Sequence, residues 1–279
     1  MCAFLERRGS RLEESEIEKL LDIDDLDKPI YRIFPQWALA EALRLKELTL
    51  VPPHFWEDPY EIIERKIAVT VMDGDIARRQ VILGGGLTPI FAQSWSSTAE
   101  SDTLLRAYSR VVKHPHHGRN TCPGEEGVKV RTTPRKLIRA VLDGTNGTDA
   151  SPFIGDVLYL STEELHSCLS SLVATAGPHV FDDPANRIRL LMLKRDGFSH
   201  EREVRVGVIA PQPNGSSVFK VKIDPNSIFE EITFDPRLIE FERKERIRDF
   251  EELGFTGTFG ESNLYQSVIL DIRVRVEGT

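Results

Sequence analysis

Cysteine is scarce in this chain: Cys2, Cys122 and Cys168 are the only three among 279 residues. An odd number of widely spaced cysteines does not fit a disulfide framework of the kind that holds small secreted domains together. The sequence therefore predicts a protein of a reducing compartment, with a core that needs no disulfide bonds.

Long apolar runs are also missing. The first ten residues carry Glu6, Arg7 and Arg8 and lack the apolar core of a signal peptide. The longest apolar passages, such as Leu190 to Leu193, are far shorter than the roughly 20 residues that span a bilayer. We therefore expect a cytoplasmic protein with no membrane partner.

Positive charge is in deficit. The formal net charge of −8 and the pI near 5.5 argue against a surface that clamps a nucleic acid backbone on all sides. A local basic groove stays open as an alternative, because charge can be distributed unevenly. The hydrophobic fraction of 40% is ordinary for a globular protein and is enough for a sizeable core.

Familiar catalytic and metal motifs are absent. There is no nucleophile elbow, HExxH or dinucleotide GxGxxG, and the glycines at 84–86 predict a flexible loop because no Lys-Ser/Thr pair follows them. His114, His116, His117 and Cys122 match no established zinc spacing and lie among loop-forming residues. We expect no metal site.

Hydrophobic periodicity predicts an α+β fold, with a mostly antiparallel mixed sheet as its core and helices inserted between the strands. Residues 1–29 are predicted to be an acidic helical arm, with its helix at 10–29, that either packs on the body or binds a partner. Residues 30–279 are predicted to be a single domain. The predicted strands are 30–34, 48–51, 67–72, 87–94, 128–131, 157–160, 204–209, 218–223, 228–234 and 267–276. The other predicted helices are 37–46, 104–112, 133–142, 162–174, 186–194 and 237–253.

The segment from His200 to Val206 is the most informative for chemistry. On a strand, alternation would place Glu201, Glu203 and Arg205 on one face. Two carboxylates at this spacing repel each other, which raises one pKa unless a cation intervenes. Such a pair can orient a ribose hydroxyl and stabilise an oxocarbenium-like centre in glycosyl transfer. The alternative is a solvated edge-strand face with a salt bridge to Arg205.

Two other segments supply groups of the kind that bind a nucleotide. Arg32 offers a planar fork for phosphate oxygens, and the adjacent Tyr31 can stack on a base or on nicotinamide. Hydroxyl groups at the end of a strand, as in Ser94, Ser96 and Ser97, can bind a ribose or support a catalytic carboxylate. Alternatively, Ser97 or Ser101 caps the next helix.

Several of these segments, in this order, resemble a bacterial family catalogued only as a domain of unknown function. The matching segments are Tyr31-Arg32, residues 56–61, Ser94-Trp95-Ser96, Leu104 to Tyr108, Gly127-Val128 and Phe198 to Arg205. The chain departs from the family pattern at Glu57, where an Asn is usual, and at Leu105, where a Trp is usual. Any role for those two positions is weakened accordingly.

The order of Arg32, the Ser96-Ser97-Thr98 segment and the Glu201-Arg202-Glu203 strand also resembles ADP-ribosyltransferases of the Arg-Ser-Glu type. The resemblance implies a split sheet of that family and NAD as a substrate. It further implies that Arg32 holds the phosphates and that the serines bracket the nicotinamide ribose. Glu203 would then bind the ribose hydroxyl and stabilise developing charge, and Glu201 would help to activate the acceptor.

On this basis we expect an NAD-dependent ADP-ribosyltransferase, a glycosyltransferase acting as a toxin or defence effector. Its acceptor would be a nucleic acid or a protein, and its partners would include an antitoxin or a chaperone. The alternative is a non-catalytic regulatory module that binds a nucleotide or a peptide. A nuclease is a weaker alternative, because only Asp58 adds to the Glu201 and Glu203 carboxylates as a metal ligand.

Overall fold

The computed structural model describes residues 23–56, 58, 60–61, 68–74, 76–82, 87–177, 180–266 and 271–272. Its strands are β1 Ile30–Pro35, β2 Glu47–Leu50, β3 Ala68–Asp73, β4 Ile76–Ile82, β5 Ile90–Ser96, β6 Gly127–Thr132, β7 Ser151–Asp156, β8 Leu158–Leu160, β9 Leu193–Arg195, β10 Glu203–Ile209, β11 Phe219–Lys222, β12 Glu231–Phe234 and β13 Thr258–Gly260. Its α-helices are α1 Gln36–Leu45, α2 Asp102–Tyr108, α3 Pro134–Gly144, α4 Thr162–Ala176, α5 Pro184–Leu191, α6 Pro225–Ile228 and α7 Glu240–Glu252. Short 3-10 turns span Pro53–Phe55, Val180–Asp182 and Asp196–Glu201.

A seven-stranded sheet in the order β13-β12-β6-β1-β5-β10-β7 forms the centre of the described structure. All neighbouring pairs in it are antiparallel except β12 and β13, which run parallel. Three two-stranded sheets, β2 with β11, β3 with β4 and β8 with β9, accompany it. The predicted α+β class with a mostly antiparallel core is therefore confirmed.

The main core forms where apolar residues of the central sheet meet helices α1 and α3. Leu39 and Leu43 of α1 are buried, as expected for positions four apart on one helix face. Helix α3 begins with Thr133 as its N-cap and Pro134 in its first turn, as the sequence predicts, and the Thr133 hydroxyl accepts a hydrogen bond from the Lys136 NH at 3.3 Å. None of the helices among the described residues is long and apolar enough to cross a membrane.

A smaller apolar cluster lies between α4 and α5, where Leu165, Leu172, Phe181 and Leu190 are buried together. Helix α4 begins with a capping box, in which Ser161 and Glu164 each accept a hydrogen bond from the other's backbone NH. Helix α5 ends at Leu191, so the chain can turn directly into β9. This cluster therefore supports the two short strands that precede the candidate site.

Three predictions of local structure are wrong within the described residues. The helix predicted at 186–194 ends at Leu191, because the following three residues pair in parallel with β8. The helix predicted at 104–112 ends at Tyr108. Residues 23–29 form turns rather than the end of a helix, and the Asp27 NH donates instead to the Asp25 side chain at 2.9 Å. The predicted loop at 84–86, residues 10–22 of the predicted first helix and nearly all of the predicted strand 267–276 lie outside the described residues.

Gly207, in the middle of β10, tests how tightly the sheet centre is packed. A Cβ at this position would lie 2.4 Å from the Phe91 carbonyl oxygen and 2.5 Å from Cζ of Phe153. Because one of these neighbours is backbone, we expect Gly207→Ala to lower the free energy of unfolding by about 1–3 kcal/mol, measured by urea denaturation. Gly197→Ala is the control, since a Cβ there meets nothing within 4 Å. Equal stability of the two variants would contradict the packing.

Candidate active site

One cavity collects most of the residues that the sequence singles out. Its empty volume is about 770 Å³, counting space open to solvent at the mouth. The predicted site residues that line it are Tyr31, Arg32, Ser94, Ser96, Glu201 and Glu203. Ser97 is not among the lining residues, and its backbone NH donates to the Arg202 carbonyl at 2.9 Å. The three separate segments of sequence therefore meet around a single concavity.

Strand register explains why these segments meet. Strand β5 lies between β1 and β10, and Ser96 near its end is opposite Tyr31 on one side and Glu203 on the other. Residues that are directly opposite in an antiparallel pair lie within about 5.5 Å of each other at Cα. Residues more than 100 positions apart in sequence are thus adjacent at this edge of the sheet.

Ser94 connects the two charged groups of the predicted trio. Its hydroxyl donates to Oε2 of Glu203 at 2.6 Å. Its backbone carbonyl accepts a hydrogen bond from Nη1 of Arg32, and the Arg32 guanidinium also lies 5.1 Å from the centre of the Phe34 ring. Nε of Arg32 is buried and has no hydrogen-bond partner among the described residues. Arg32 is therefore held by the Ser94 carbonyl, and its Nε is a buried donor without a partner among the described residues.

The Ser96 side chain forms hydrogen bonds with two backbone groups. Its hydroxyl donates to the Glu201 carbonyl at 2.5 Å and accepts from the Thr98 NH at 3.0 Å. These bonds fix the turn that leads into β10 against the end of β5. Ser101 caps α2, because its hydroxyl accepts from the Leu104 NH at 3.2 Å, so the capping interpretation holds for Ser101.

Glu201 and Glu203 do not share a strand face, so the predicted alternation is wrong at its first residue. Glu201 ends the 3-10 turn at Asp196–Glu201, and Arg202 has a left-handed backbone with φ of 45°. Strand β10 begins only at Glu203, and it lies between β5 and β7 with all its residues buried. The interpretation of this segment as a solvated edge strand is therefore wrong as well, although the Glu203 to Arg205 salt bridge is present at 2.6 Å.

Glu203 belongs to a cluster of five charged side chains. Nζ of Lys194, on β9, donates to Oε2 of Glu201 at 2.8 Å and to Oε1 of Glu203, and it lies 3.3 Å from Oε1 of Glu61. Arg205 pairs with Glu203 through Nε and with Glu61 through Nη2. The side chains of all except Glu201 are 7% exposed or less. Glu201, at 17%, is the most exposed member.

The acidic and aromatic turn near residues 56–61 supports this cluster from outside. The Arg205 guanidinium lies 4.7 Å from the centre of the Trp56 ring. Asp58 accepts a hydrogen bond from Arg195 at 2.9 Å, and the Arg195 guanidinium lies 4.3 Å from the centre of the Tyr60 ring. The turn thereby brings Glu61 against the buried cations, while Glu57 and Pro59 lie outside the described residues.

The two glutamates of the site differ in proton affinity. Burial opposes ionisation of Glu203, but the charges of Arg205 and Lys194 and a hydrogen bond from Glu201 outweigh it and hold its pKa below the ordinary value. Burial, with the hydrogen bond to Glu203, raises the pKa of Glu201 to about 7 although Lys194 donates to it. Burial also disfavours charge on Lys194, yet Glu203 and its other acidic partners raise the pKa of Lys194. At neutral pH the site therefore holds an ionised Glu203 beside a Glu201 that exchanges its proton.

Aromatic residues and a second cation form other parts of the cavity wall. Tyr31, Tyr108 and Lys129 all line it, and Nζ of Lys129 lies 5.6 Å from the centre of the Tyr31 ring. Lys129 also donates to the Ala99 carbonyl at 2.9 Å. Partial burial raises the pKa of Tyr108, so its phenol stays protonated at neutral pH.

Sequence reasoning missed Lys194, because that residue was placed at the end of a helix. It also missed Lys129, which was read as part of an alternating strand without a role. Glu61 and Tyr108 belonged to the segments that carry the family resemblance, and no role was derived for them. A signal for Lys194 existed in the charge count, since the predicted carboxylate pair needs a nearby cation to be stable when buried.

The histidine-rich loop forms local contacts of its own. The rings of His114 and His117 stack with centres 3.9 Å apart, and Nδ1 of each accepts a backbone hydrogen bond, from His116 and Arg119 respectively. No group of three or more metal-binding side chains occurs among the residues that the structure describes.

Solved structures of DarT from Thermus sp. 2.9 are similar to this chain. The complex with ADP-ribosylated ssDNA aligns over 87% of this chain and 97% of that one, at 14% identity and a TM-score of 0.36. The complex with carba-NAD+ covers 86% and 97% at 14% identity and 0.34, and the complex with NAD+ covers 85% and 96% at 12% identity and 0.35. No protein-family model and no curated protein matches the chain.

Proposed function

We propose that this chain is an NAD-dependent ADP-ribosyltransferase-like enzyme. The observation that carries the proposal is the meeting of Arg32, Ser94 and Glu203 at one cavity, with Glu203 held ionised. A fixed carboxylate and a fixed guanidinium at one cavity suit a substrate that develops positive charge at one end and carries phosphates at the other.

The cavity offers suitable groups for a dinucleotide. Nε of Arg32 is a buried donor without a partner among the described residues, which a phosphate oxygen would satisfy. Tyr31 and Tyr108 supply aromatic faces on the wall for a planar ring. Ser97 would contribute only through its backbone, because its side chain does not line the cavity.

NAD, as the substrate, would supply a ribose carbon whose bond to nicotinamide breaks while a bond to the acceptor forms. In this proposal Glu203 accepts a hydrogen bond from a ribose hydroxyl and stabilises the positive charge of that carbon. Ser94 keeps the Glu203 carboxylate in place through its 2.6 Å hydrogen bond. Ser96 holds the Glu201 turn, and Glu201, once ionised, takes the proton that the acceptor loses.

The acceptor and partners follow as further parts of this proposal. We propose a nucleic acid or protein acceptor and the role of a toxin or defence effector, with an antitoxin or chaperone as the binding partner. The test incubates the purified chain with NAD labelled in its adenylate half, in separate reactions with single-stranded nucleic acid and with protein. We expect nicotinamide release together with label on one acceptor class. Absence of both at every pH from 6 to 9 would contradict the proposal.

A non-catalytic nucleotide-binding module is the second candidate. It is favoured by one observation: Glu203 already pairs with Lys194 and Arg205, and Arg32 already donates to the Ser94 carbonyl. Groups that are satisfied by the protein itself are suited to recognition without turnover. Isothermal titration with NAD distinguishes the two candidates, because heat of binding with no nicotinamide release would favour the module.

A further inference from the structure

The charges of the five clustered side chains, Glu203 included, do not balance. Glu61, Glu201 and Glu203 would contribute three negative charges if all were ionised, and Lys194 and Arg205 contribute two positive charges. Uncompensated charge is costly in a buried site, so one carboxylate is driven to bind a proton.

The contacts within the cluster indicate which of the three carboxylates binds the proton. Glu61 and Glu203 each contact both cations, whereas Lys194 is the only cation that Glu201 contacts within the part of the chain that the structure describes. Glu201 also has the largest exposed fraction, at 17%, so a proton can reach it from solvent. The group with the fewest cationic partners binds the proton most readily.

From this geometry we propose that Lys194 is a positioning residue. Its ammonium group holds the carboxylates of Glu203 and Glu201 at fixed places on one nitrogen, and with Arg205 it neutralises Glu61 and Glu203. Glu201 is thereby left as the proton-exchanging member of the cluster, and Glu61 sets how strongly it holds its proton. The role of Lys194 in ADP-ribosyl transfer rests on the proposed function, whereas the charge balance of the cluster does not.

The other groups that face Glu201 do not share this role. Arg32, from β1, interacts electrostatically with Glu203. The phenols of Tyr108, from α2, and Tyr159, from β8, interact electrostatically with Glu201 itself. Burial raises the pKa of both, so they stay neutral where Glu201 titrates. The Tyr159 hydroxyl accepts a hydrogen bond from the Glu203 backbone NH at 2.8 Å, which anchors the start of β10.

The charge balance predicts shifts of opposite sign for two substitutions. Lys194→Met removes the cation that pairs with Glu201, so the titration midpoint of Glu201 should rise by about one pH unit or more. Glu61→Gln removes one negative charge and leaves Lys194 free for Glu201, so the midpoint should fall by about one unit. Lys194→Arg keeps the charge and should restore a midpoint close to that of the unmodified chain.

The midpoint is measured without NAD, by 13C NMR of the glutamate side-chain carboxyl groups, with Glu201→Gln used to assign the signal. Lys222→Met is the matched control, because it removes an exposed lysine that pairs with Glu47 at 2.7 Å on another sheet. It should leave the midpoint unchanged. Shifts of the same sign, or no shift in either variant, would overturn the proposal. If Lys194→Met does not fold, a Glu201 midpoint that does not fall in Glu61→Gln is enough by itself to overturn the proposal.

The same variants separate this inference from the proposed function. If NAD is cleaved, the pH at half-maximal transfer should move with the NMR midpoint, up in Lys194→Met and down in Glu61→Gln. NMR shifts of the expected signs without NAD cleavage would refute the enzyme and leave the charge cluster standing. Cleavage with unmoved midpoints would refute the cluster and leave the enzyme standing.

Discussion

Glutamine in place of Glu203 is expected to lower the rate of nicotinamide release from NAD by about 100- to 1,000-fold. The amide has nearly the shape of the carboxylate and can still accept the Ser94 hydrogen bond, but it carries no charge to stabilise a positive ribose carbon. The measurement is the initial rate at saturating NAD. A variant that keeps more than a tenth of the activity would remove the proposed role of Glu203.

The control for this substitution is Glu126→Gln. Glu126 is also a fully buried carboxylate in an ion pair, 2.7 Å from Nε of Arg246, but it does not line the cavity. We expect it to lower the melting temperature while leaving the rate per folded molecule unchanged. Glu201→Gln gives a further contrast, because it should reduce transfer to the acceptor more than nicotinamide release.

The periodic elements of the fold were predictable because their signals are local. Strands β1 and β2 and helices α1, α3 and α4 all lie within a few residues of their predicted bounds. In each, apolar residues recur with the period of the element, and α3 carries the predicted cap at Thr133. Local pattern was sufficient for these five elements.

The placement of Lys194 was not predictable in this way. The run from Leu190 to Leu193 is apolar throughout, so periodicity cannot distinguish the end of a helix from a short buried strand. What makes the end of this run a strand is the pairing of Leu193–Arg195 with Leu158–Leu160, which lie more than 30 positions earlier in the chain. A cation of the candidate site was therefore assigned to the wrong kind of element.

The geometry of Glu201 was hidden for a different reason. Alternation along 201–205 assumes an extended backbone, and Arg202 interrupts it with a positive φ that non-glycine residues seldom adopt. Nothing in the residue type signals this turn. The serine segment was closer to prediction, but only the long-range register of β5 decides that Ser94 reaches Glu203, and Ser97 is not among the residues that line the cavity.

Replacing Arg205 with leucine is expected to lower the free energy of unfolding by about 3–5 kcal/mol. The Arg205 side chain is fully buried, and its partners Glu61 and Glu203 would be left with Lys194 as the only cation of the cluster. Its Nη1 also donates to the Leu191 carbonyl, so a buried acceptor would lose its partner. Urea denaturation at pH 7, followed by circular dichroism, measures the change.

We attribute the lower free energy of unfolding expected for Arg205→Leu to buried carboxylates that lose a cation and not to lost packing. A second substitution tests this. Adding Glu61→Gln removes one of the two stranded carboxylates, so the double variant should regain part of the lost stability and the two effects should not add. Arg106→Leu provides the contrast, because its pair with Asp102 is exposed, with 61% and 47% of the two side chains accessible, and should change stability little. If Arg205→Leu were no more destabilising than Arg106→Leu, the buried cluster could not be what fixes Glu203 at the cavity.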